Sequence, residues 1–438
     1  VHRSSLIGHI VELHHLVLTQ GHPADAVVRD FLRQRHYLGS HDRRFIQETL
    51  YGMFRNAILI REIIAGIPEN RLSPLSSLPS YIAYALQILR EHSETVISAV
   101  RGLWSTFYSG ISLEGFVTGV AQSDPLIKHQ DPVQQLAIRE SFPLAVVREW
   151  TSRYSLDEAQ TLCAALNSSA PTTTRVNTLR CTRDACASAL EQEGVQVATN
   201  QYSPVALTLG KRVNIKALNA FRDGYFEMQD EGSQLVSFLT VAGPGMTVID
   251  ACAGGGGKTL HLANLMNNEG KLIAFHQDEH QQKATQERAQ RAGARIESRI
   301  LTKDSGPDDL HDSADVVLVD APCSGTGVFR RNPFGKLTYT TEVSERFSRL
   351  QSEILSRNAS LVRKGGRLIY ATCTLLQKEN ESVVETFLDS HKEFSITSAS
   401  DTLQRLNIPS SQSPFMTLLP HKTNTDGFFA AVLSRTSD

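Results

Sequence analysis

The chain has 438 residues, 41% hydrophobic and 21% charged, which excludes a predominantly disordered protein and, at about 150 residues per domain, predicts several domains. Lys and Arg number 44 against 46 Asp and Glu, a formal net charge of -2, so there is no overall basic field and a polyanion would have to be met by local Lys/Arg clusters. No run approaches the roughly 20 apolar residues of a membrane span, and the N-terminal apolar positions, interrupted by Glu12 and two histidines, lack the pattern of a secretory signal. Cys163, Cys181, Cys186, Cys252, Cys323 and Cys373 form no CxxC pair, which argues against a zinc ribbon. A chain this long needs no disulfide to hold its core, and a reducing cytoplasm is the expected compartment.

Residues 1–135 read as helical. Leu6, Ile10, Leu13 and Val17 fall at helical spacing on one face; Val27, Val28, Phe31 and Leu32 repeat the pattern, as do Leu50, Met53, Phe54, Ala57 and Ile58. The polar knot at 39–44 predicts a turn with a helix cap at Ser40 or Asp42. Pro68 and the Ser- and Pro-rich stretch 72–80 break the following helices. Residues 136–240 mix both periods: a helix over 144–166, a strand at 174–177, a helix over 184–193 closed by Gly194, and strands at 195–197 and 206–209. From Met246 onward strands and helices alternate. Strands are expected at 247–250, 271–275, 295–301, 315–319, 367–371 and 428–433, and helices from Thr259, over 278–292, over 341–362 ended by Gly365-Gly366, and over 378–388. This order predicts an α/β fold with a doubly wound parallel sheet.

Three signals sit at the ends of predicted strands, where ligands bind in open parallel sheets. The first is Asp250-Ala-Cys252-Ala253-Gly254-Gly255-Gly256-Gly257-Lys258-Thr259, between a strand and a helix. Its glycines allow close approach of a ligand to backbone N–H groups. A phosphate loop of a nucleotide triphosphatase needs a glycine five residues before Gly257, where Cys252 stands; that reading, and a ligand-free glycine turn, are the weaker alternatives. The second is Asp320-Ala-Pro-Cys323-Ser-Gly-Thr-Gly, and the third is Tyr370-Ala-Thr-Cys373-Thr. A lone cysteine after a strand is usually a small buried residue. Two thiols and an acid meeting a glycine loop at one sheet edge is a far less ordinary arrangement.

These segments resemble the successive motifs of the Nop/Sun (Fmu-type) RNA cytosine-5 methyltransferases. So do the continuation Val328-Phe-Arg330-Arg331-Asn-Pro and Asp426-Gly-Phe-Phe-Ala-Ala, and, upstream, Arg175-Val-Asn177-Thr and Gln229-Asp-Glu-Gly-Ser-Gln234. The helical N-terminus, with Leu38-Gly-Ser-His-Asp-Arg-Arg-Phe-Ile46, is similar to the NusB-like RNA-binding domain of bacterial members. The resemblance implies a NusB-like helical domain over 1–135, a small α+β RNA-binding or linker domain over 136–238, and a Rossmann-like S-adenosyl-L-methionine-dependent methyltransferase domain over 239–438.

It also implies site roles. Carbon 5 of cytosine is a poor nucleophile, and a thiolate added at carbon 6 makes the ring enamine-like, the logic of covalent catalysis. By resemblance Cys373 is that nucleophile, Cys323 assists proton removal from carbon 5 and product release, and Asp320 stabilises protonation at N3. Lys258 is the nearest candidate to favour the Cys373 thiolate. Cys252, Ala253, Gly254, Gly255, Gly256, Gly257, Lys258 and Asp320 would line the donor site, with His276 and Thr302 at the positions that usually carry acids for the ribose and adenine; Asp278 and Asp304 lie two residues later. The usual Asp and Trp after Arg-Arg-Asn-Pro are Phe334 and Leu337. A carboxylate on the ribose hydroxyls contributes roughly 1.5–3 kcal/mol, so weakened donor binding, in the high-micromolar range, is expected.

Arg330 and Arg331 are expected to contact RNA, while Arg288, Arg291, Arg295, Arg299, Arg43 and Arg44 are open to either RNA contact or ordinary ion pairing. His14, His15 and His41 have no metal-ligand spacing, so no metal is expected. The resemblance points to ribosomal rather than transfer RNA; no membrane partner is expected, and the sequence does not reveal the oligomeric state, with a monomer as the default expectation. A non-catalytic RNA-binding or ribosome-assembly factor with an eroded cofactor site is the alternative that His276 and Thr302 favour.

Overall fold

The apolar stripes predicted in the first third of the chain close into one helical core. The computed structural model describes residues 1–67, 76–211, 213–301, 307–406, 408 and 413–437. The expected breaks at Pro68 and 72–75, and the positions Thr302 and Asp304, lie outside them. The described chain forms two compact units, Val1–Asn167 with Phe329–Thr340, and Ser168–Val328 with Thr341–Asp438.

In the first unit, helices Arg3–Thr19, Ala24–Gln34 and Ser40–Arg55 bury Leu6, Ile10, Leu13, Val17, Val27, Val28, Phe31, Leu32, Leu50, Met53 and Phe54, the residues picked out by periodicity. Asp42 caps the third helix by accepting the Gly39 amide (3.3 Å). Arg43, in the polar knot, donates to the carbonyls of Leu38 (2.8 Å), Leu32 (2.8 Å) and Arg35 (2.9 Å). Its guanidinium satisfies carbonyls left over at a helix end, and Arg44 pairs with Glu48 at i,i+4 (2.8 Å). Both charges in that knot have intramolecular partners.

Helices Leu144–Arg153 and Leu156–Asn167 replace the single predicted helix over 144–166 and belong to this unit. The inserted segment Phe329–Thr340 packs here too. Phe334 and Leu337 lie against the helical core, with Phe334 5.2 Å from Phe54. Lys336 is buried; its Nζ donates to Asn167 Oδ1 (2.6 Å) and to the Arg55 carbonyl (3.3 Å), and sits 3.6 Å from the centre of the Phe142 ring. Burial pushes this amine well below its ordinary value.

His14 gives the unit a pH dependence. It is buried, stacked on Phe54 and hydrogen-bonded through Nδ1 to Ser77 Oγ (2.9 Å), and burial pushes its value from 6.5 to about 4. Between those values the unfolded chain binds the proton and the folded one does not, so the stability present above pH 6.5 is lost as pH falls towards 4. Urea unfolding should show the helical unit weaker at pH 4 than at pH 7 by roughly 3 kcal/mol, and His14→Leu should flatten that dependence. An unchanged slope in the variant would sink this assignment.

The second unit holds two sheets. The smaller is antiparallel, order β2-β3-β1-β4, from β1 (Thr172–Val176), β2 (Val197–Thr199), β3 (Ala206–Leu209) and β4 (Phe226–Met228). The larger contains β5 (Thr247–Asp250), β6 (Lys271–His276), β7 (Glu297–Ile300), β8 (Ala314–Asp320), β9 (Val362–Thr372), β10 (Phe394–Thr397), β11 (Met416–Leu418) and β12 (Phe428–Arg435). Its order is β10-β12-β9-β8-β5-β6-β7, with β11 also paired to β12. Strands β5 to β9 run parallel, and β12 is antiparallel to β9, β10 and β11. The strand order reverses between β5 and β8, the switch point at which such sheets hold ligands. The long helix is Thr341–Ala359, shorter than predicted, because Gly365 and Gly366 lie inside β9 and do not end the helix. Gly365 has φ +75°, and a Cβ on Gly366 would meet the Ala314 carbonyl at 3.0 Å, where the β8–β9 register shifts. No helix among the described residues is long and apolar enough to cross a membrane.

Candidate active site at the switch point

Asp250, at the end of β5, is fully buried, and burial pushes its carboxyl up to about 6. It accepts Thr259 Oγ1 (2.7 Å) and the Cys252 amide (3.3 Å), tying both ends of the glycine loop to the strand. Gly254 and Gly256 adopt left-handed backbone (φ +51° and +80°), and a Cβ on Gly256 would strike the Thr285 side chain at 2.7 Å. Helix Gly257–Leu265 starts there. The loop carbonyls are gripped from outside: Arg288 donates to Gly255, and Arg175 of β1 to Gly257 (2.6 Å). Ala253 is buried, its amide on the Phe275 carbonyl (3.1 Å), and burial pushes the Cys252 thiol up.

Lys258, on the first turn of that helix, is nearly buried and pairs with Asp320 at the end of β8, Nζ to Oδ2 2.6 Å; its ammonium also lies 5.3 Å from the centre of the Phe428 ring. Cys323 Sγ and Cys373 Sγ, from the loops after β8 and β9, stand 3.2 Å apart as free thiols. Their hydrogen bond and then burial push the Cys323 thiol well above its ordinary value. The two loops are laced together. Gly327 N–H donates to the Cys373 carbonyl (3.0 Å), Gly427 N–H to the Gly327 carbonyl (2.9 Å), and the Leu375 amide to Thr326 Oγ1 (2.9 Å). Thr374 Oγ1 lies within hydrogen-bond distance of both Ser324 Oγ (3.0 Å) and Thr326 Oγ1 (2.9 Å). Residues separated in sequence by more than a hundred positions thus assemble at one end of the sheet.

His276 closes β6. It is 2% exposed, its Nδ1 faces the Gly254 carbonyl (3.2 Å), and its Nε2 is buried with no partner. A carbonyl can only accept, so the proton sits on Nδ1 and Nε2 keeps a lone pair; burial lowers the ring's value, which keeps it neutral. Asp278, two residues on, accepts the Gln281 amide through Oδ1 (2.8 Å) as the N-cap of helix Glu279–Ala292. Among the described residues no His/Cys/Asp/Glu group could hold a metal.

The basic residues divide. Arg288 (2.9 Å) and Arg291 both pair with the buried Glu227 of β4, and Arg299 pairs with Glu297 (2.6 Å) and Asp309 (2.8 Å). Glu227 and Asp309 come from other elements, which no i,i+4 pattern announces, while Glu297 lies two residues before Arg299 on β7. Arg330 is buried (3% exposed), whereas Arg331 is exposed. Sequence reasoning missed Glu379, a fully buried carboxylate six residues after Cys373, which accepts the amide of Ser324 (2.9 Å). The only available signal was an acid within a segment whose neighbours Leu375 and Leu376 are apolar.

Residues 240–434 match the family described as 16S rRNA methyltransferase RsmB/F, and residues 142–216 match its ferredoxin-like domain. A relative from Bacillus subtilis (strain 168), named probable ribosomal RNA small subunit methyltransferase B, is 31% identical over 411 residues, 90% of each chain. The solved structure of PH0851 superposes with a TM-score of 0.81 at 26% identity over 99% of each chain. That of NSun6 from Pyrococcus horikoshii with SFG gives a TM-score of 0.60 at 22% identity over 68% of this chain and 100% of that one, a likeness of fold. A match of this identity along nine-tenths of both chains, on a sheet carrying two touching thiols at its switch point, means that the chain belongs to the RsmB/F family of 16S rRNA methyltransferases.

Proposed function

We propose that this methyltransferase acts on carbon 5 of a cytosine in small-subunit ribosomal RNA through a covalent adduct to Cys373, with S-adenosyl-L-methionine as donor. The observation that carries the reading is the 3.2 Å approach of Cys323 and Cys373 beside the Lys258–Asp320 pair. A single nucleophile needs no second thiol in contact, whereas addition followed by elimination needs both an attacking sulfur and a base.

The donor fits the residues present. The glycine loop from Cys252 to Lys258 allows close backbone approach, and the orphaned Nε2 of His276 is an acceptor for a ribose hydroxyl. When bound, the donor supplies an electrophilic methyl group. The chain's own residues do the rest. The target base leaves its stack to reach the pocket. Asp320, one oxygen held by Lys258, stabilises positive charge at N3 while the Cys373 thiolate adds to carbon 6, which makes carbon 5 nucleophilic. After methylation Cys323 as thiolate takes the proton from carbon 5, the C–H electrons re-form the C5–C6 double bond, and the C6–S pair returns to Cys373. The hydrogen bond that most raises Cys323 is to the Cys373 sulfur; once that sulfur is a neutral thioether, Cys323 ionises more readily. The helical unit and the exposed Arg331 are assigned to RNA contact, and a NusB-like role for residues 1–135 is part of this reading.

His276→Asp restores two acceptor oxygens in place of one nitrogen. Calorimetry should show donor binding in the high-micromolar range for the natural chain and roughly tenfold tighter for the variant. Nanomolar binding by the natural chain would contradict the expectation. The function itself is tested by transfer of labelled methyl to unmethylated 16S rRNA, with the product mapped as 5-methylcytosine. An assembly factor would bind that RNA and transfer nothing.

A further inference from the structure

Glu379 is fully buried on the short helix that follows β9, and its charge has no cationic partner among the described residues. Its carboxylate accepts from neutral donors only: the Ser324 amide (2.9 Å), Gln351 Nε2 (3.0 Å) and Ser344 Oγ (2.8 Å). Ser324 immediately follows Cys323, so the carboxylate fixes the loop that carries one thiol, and it descends from the strand that carries the other. Three neutral donors offset part of the cost, but a buried carboxylate without a cation remains a more expensive anchor than a neutral acceptor holding the same donors. The charge itself therefore needs a use, and the nearest titratable group on the anchored loop is the Cys323 thiol.

We propose that Glu379 is a positioning residue that makes the two touching thiols unequal: it fixes the Cys323 loop and biases the pair so that Cys373, not Cys323, is the sulfur that attacks. The inference rests on the reaction proposed above. The groups that act on Cys323 are the Cys373 thiol, the Glu379 carboxylate and the Gly325 amide, with Tyr370 of β9 also within electrostatic reach. Of these, Glu379 carries the formal negative charge, and it acts in the direction that keeps Cys323 protonated.

The test is the pH profile of Cys323 alkylation by iodoacetamide, read by peptide mass spectrometry in the Cys373→Ser background. Adding Glu379→Gln should lower the midpoint by about one pH unit, and Glu379→Asp, which keeps the charge, should restore it. A loop that is merely loosened changes the plateau rate and leaves the midpoint alone. In the otherwise natural enzyme, Glu379→Gln should lower kcat by roughly tenfold to a hundredfold, with KM for RNA within about twofold. An unmoved midpoint in folded protein overturns the proposal. If Glu379→Gln does not fold, Glu379→Asn in the Cys373→Ser background, read against the charge-keeping Glu379→Asp, decides in the same way, and equal midpoints for the two overturn the proposal. A control separates the two layers. If the adduct trapped by Cys323→Ala maps to Cys373 and the midpoint is unmoved, only the role of Glu379 falls. If no adduct forms, the underlying reaction falls.

Discussion

Cys373→Ala is expected to lose methyl transfer by at least roughly four orders of magnitude, with RNA and donor binding retained. The physical reason is that carbon 5 of cytosine becomes nucleophilic only while a sulfur is bonded to carbon 6, and no other group replaces that bond. Cys323 touches Cys373 at 3.2 Å, so it is the one conceivable substitute. Its thiol, however, is held well above the ordinary range by the hydrogen bond to its neighbour and by burial, and releasing the first of these does not remove the second. Cys323→Ala has the opposite signature. The attacking sulfur remains, the base that takes the carbon 5 proton is gone, and a covalent protein–RNA species should accumulate on a denaturing gel. The two variants together are decisive. If Cys373→Ala accumulates the adduct and Cys323→Ala forms none, the roles are exchanged; if neither yields one, covalent catalysis by this pair is wrong.

How far the sequence alone led depended on whether a residue's environment is local. The parallel strands were legible because strands buried on both faces read as apolar runs, as 315–319 does, and β8 runs Ala314–Asp320 around it. The thiol-bearing loops were legible because each directly follows such a strand. What failed was anything set by a partner distant in the chain. Arg43 and Arg288 look like any surface arginine, yet one is turned onto helix-end carbonyls and the other joins Glu227 to the glycine loop. Glu379 and Glu381 are both acids two residues apart, and only the packing of helix Thr341–Ala359 makes the first of them fully buried. Phe334 and Leu337 read as lost polar and aromatic family residues; their apolar character follows from packing against the helical core of the first unit. Gly365-Gly366 read as a helix stop because glycine marks a helix end and a strand irregularity with the same letter. The short strands β4, β10 and β11 were missed, since at three or four residues they are recognised only by the strands they pair with, β1 and β12.

The second large effect is expected at a residue with no side chain. Gly327 lies where the loops after β8, β9 and before β12 meet, and a Cβ there would stand 2.4 Å from the Gly427 carbonyl oxygen and 2.8 Å from that of Cys373. Both obstacles are backbone, so no rotamer change relieves them. Gly327→Ala must push the Cys373 carbonyl or the Gly427 peptide away, and both are bonded to Gly327 itself through its N–H (3.0 Å) and its carbonyl (2.9 Å). Gly427 has little room to retreat, since a Cβ of its own would already lie 2.7 Å from Gly327 Cα and 3.0 Å from Leu375. Overpacking of this kind costs about 1–3 kcal/mol, which denaturant unfolding would register as a folded but weakened protein. The catalytic cost should be larger, because the displaced atoms carry Cys373. A misplacement of the attacking sulfur by about an ångström lowers kcat/KM by roughly a hundredfold. Donor affinity should be nearly unchanged, since the glycine loop after β5 is built on Asp250, Arg175 and Arg288 and uses none of these bonds. Full activity in Gly327→Ala would show that the two thiol loops are not held in register by this contact.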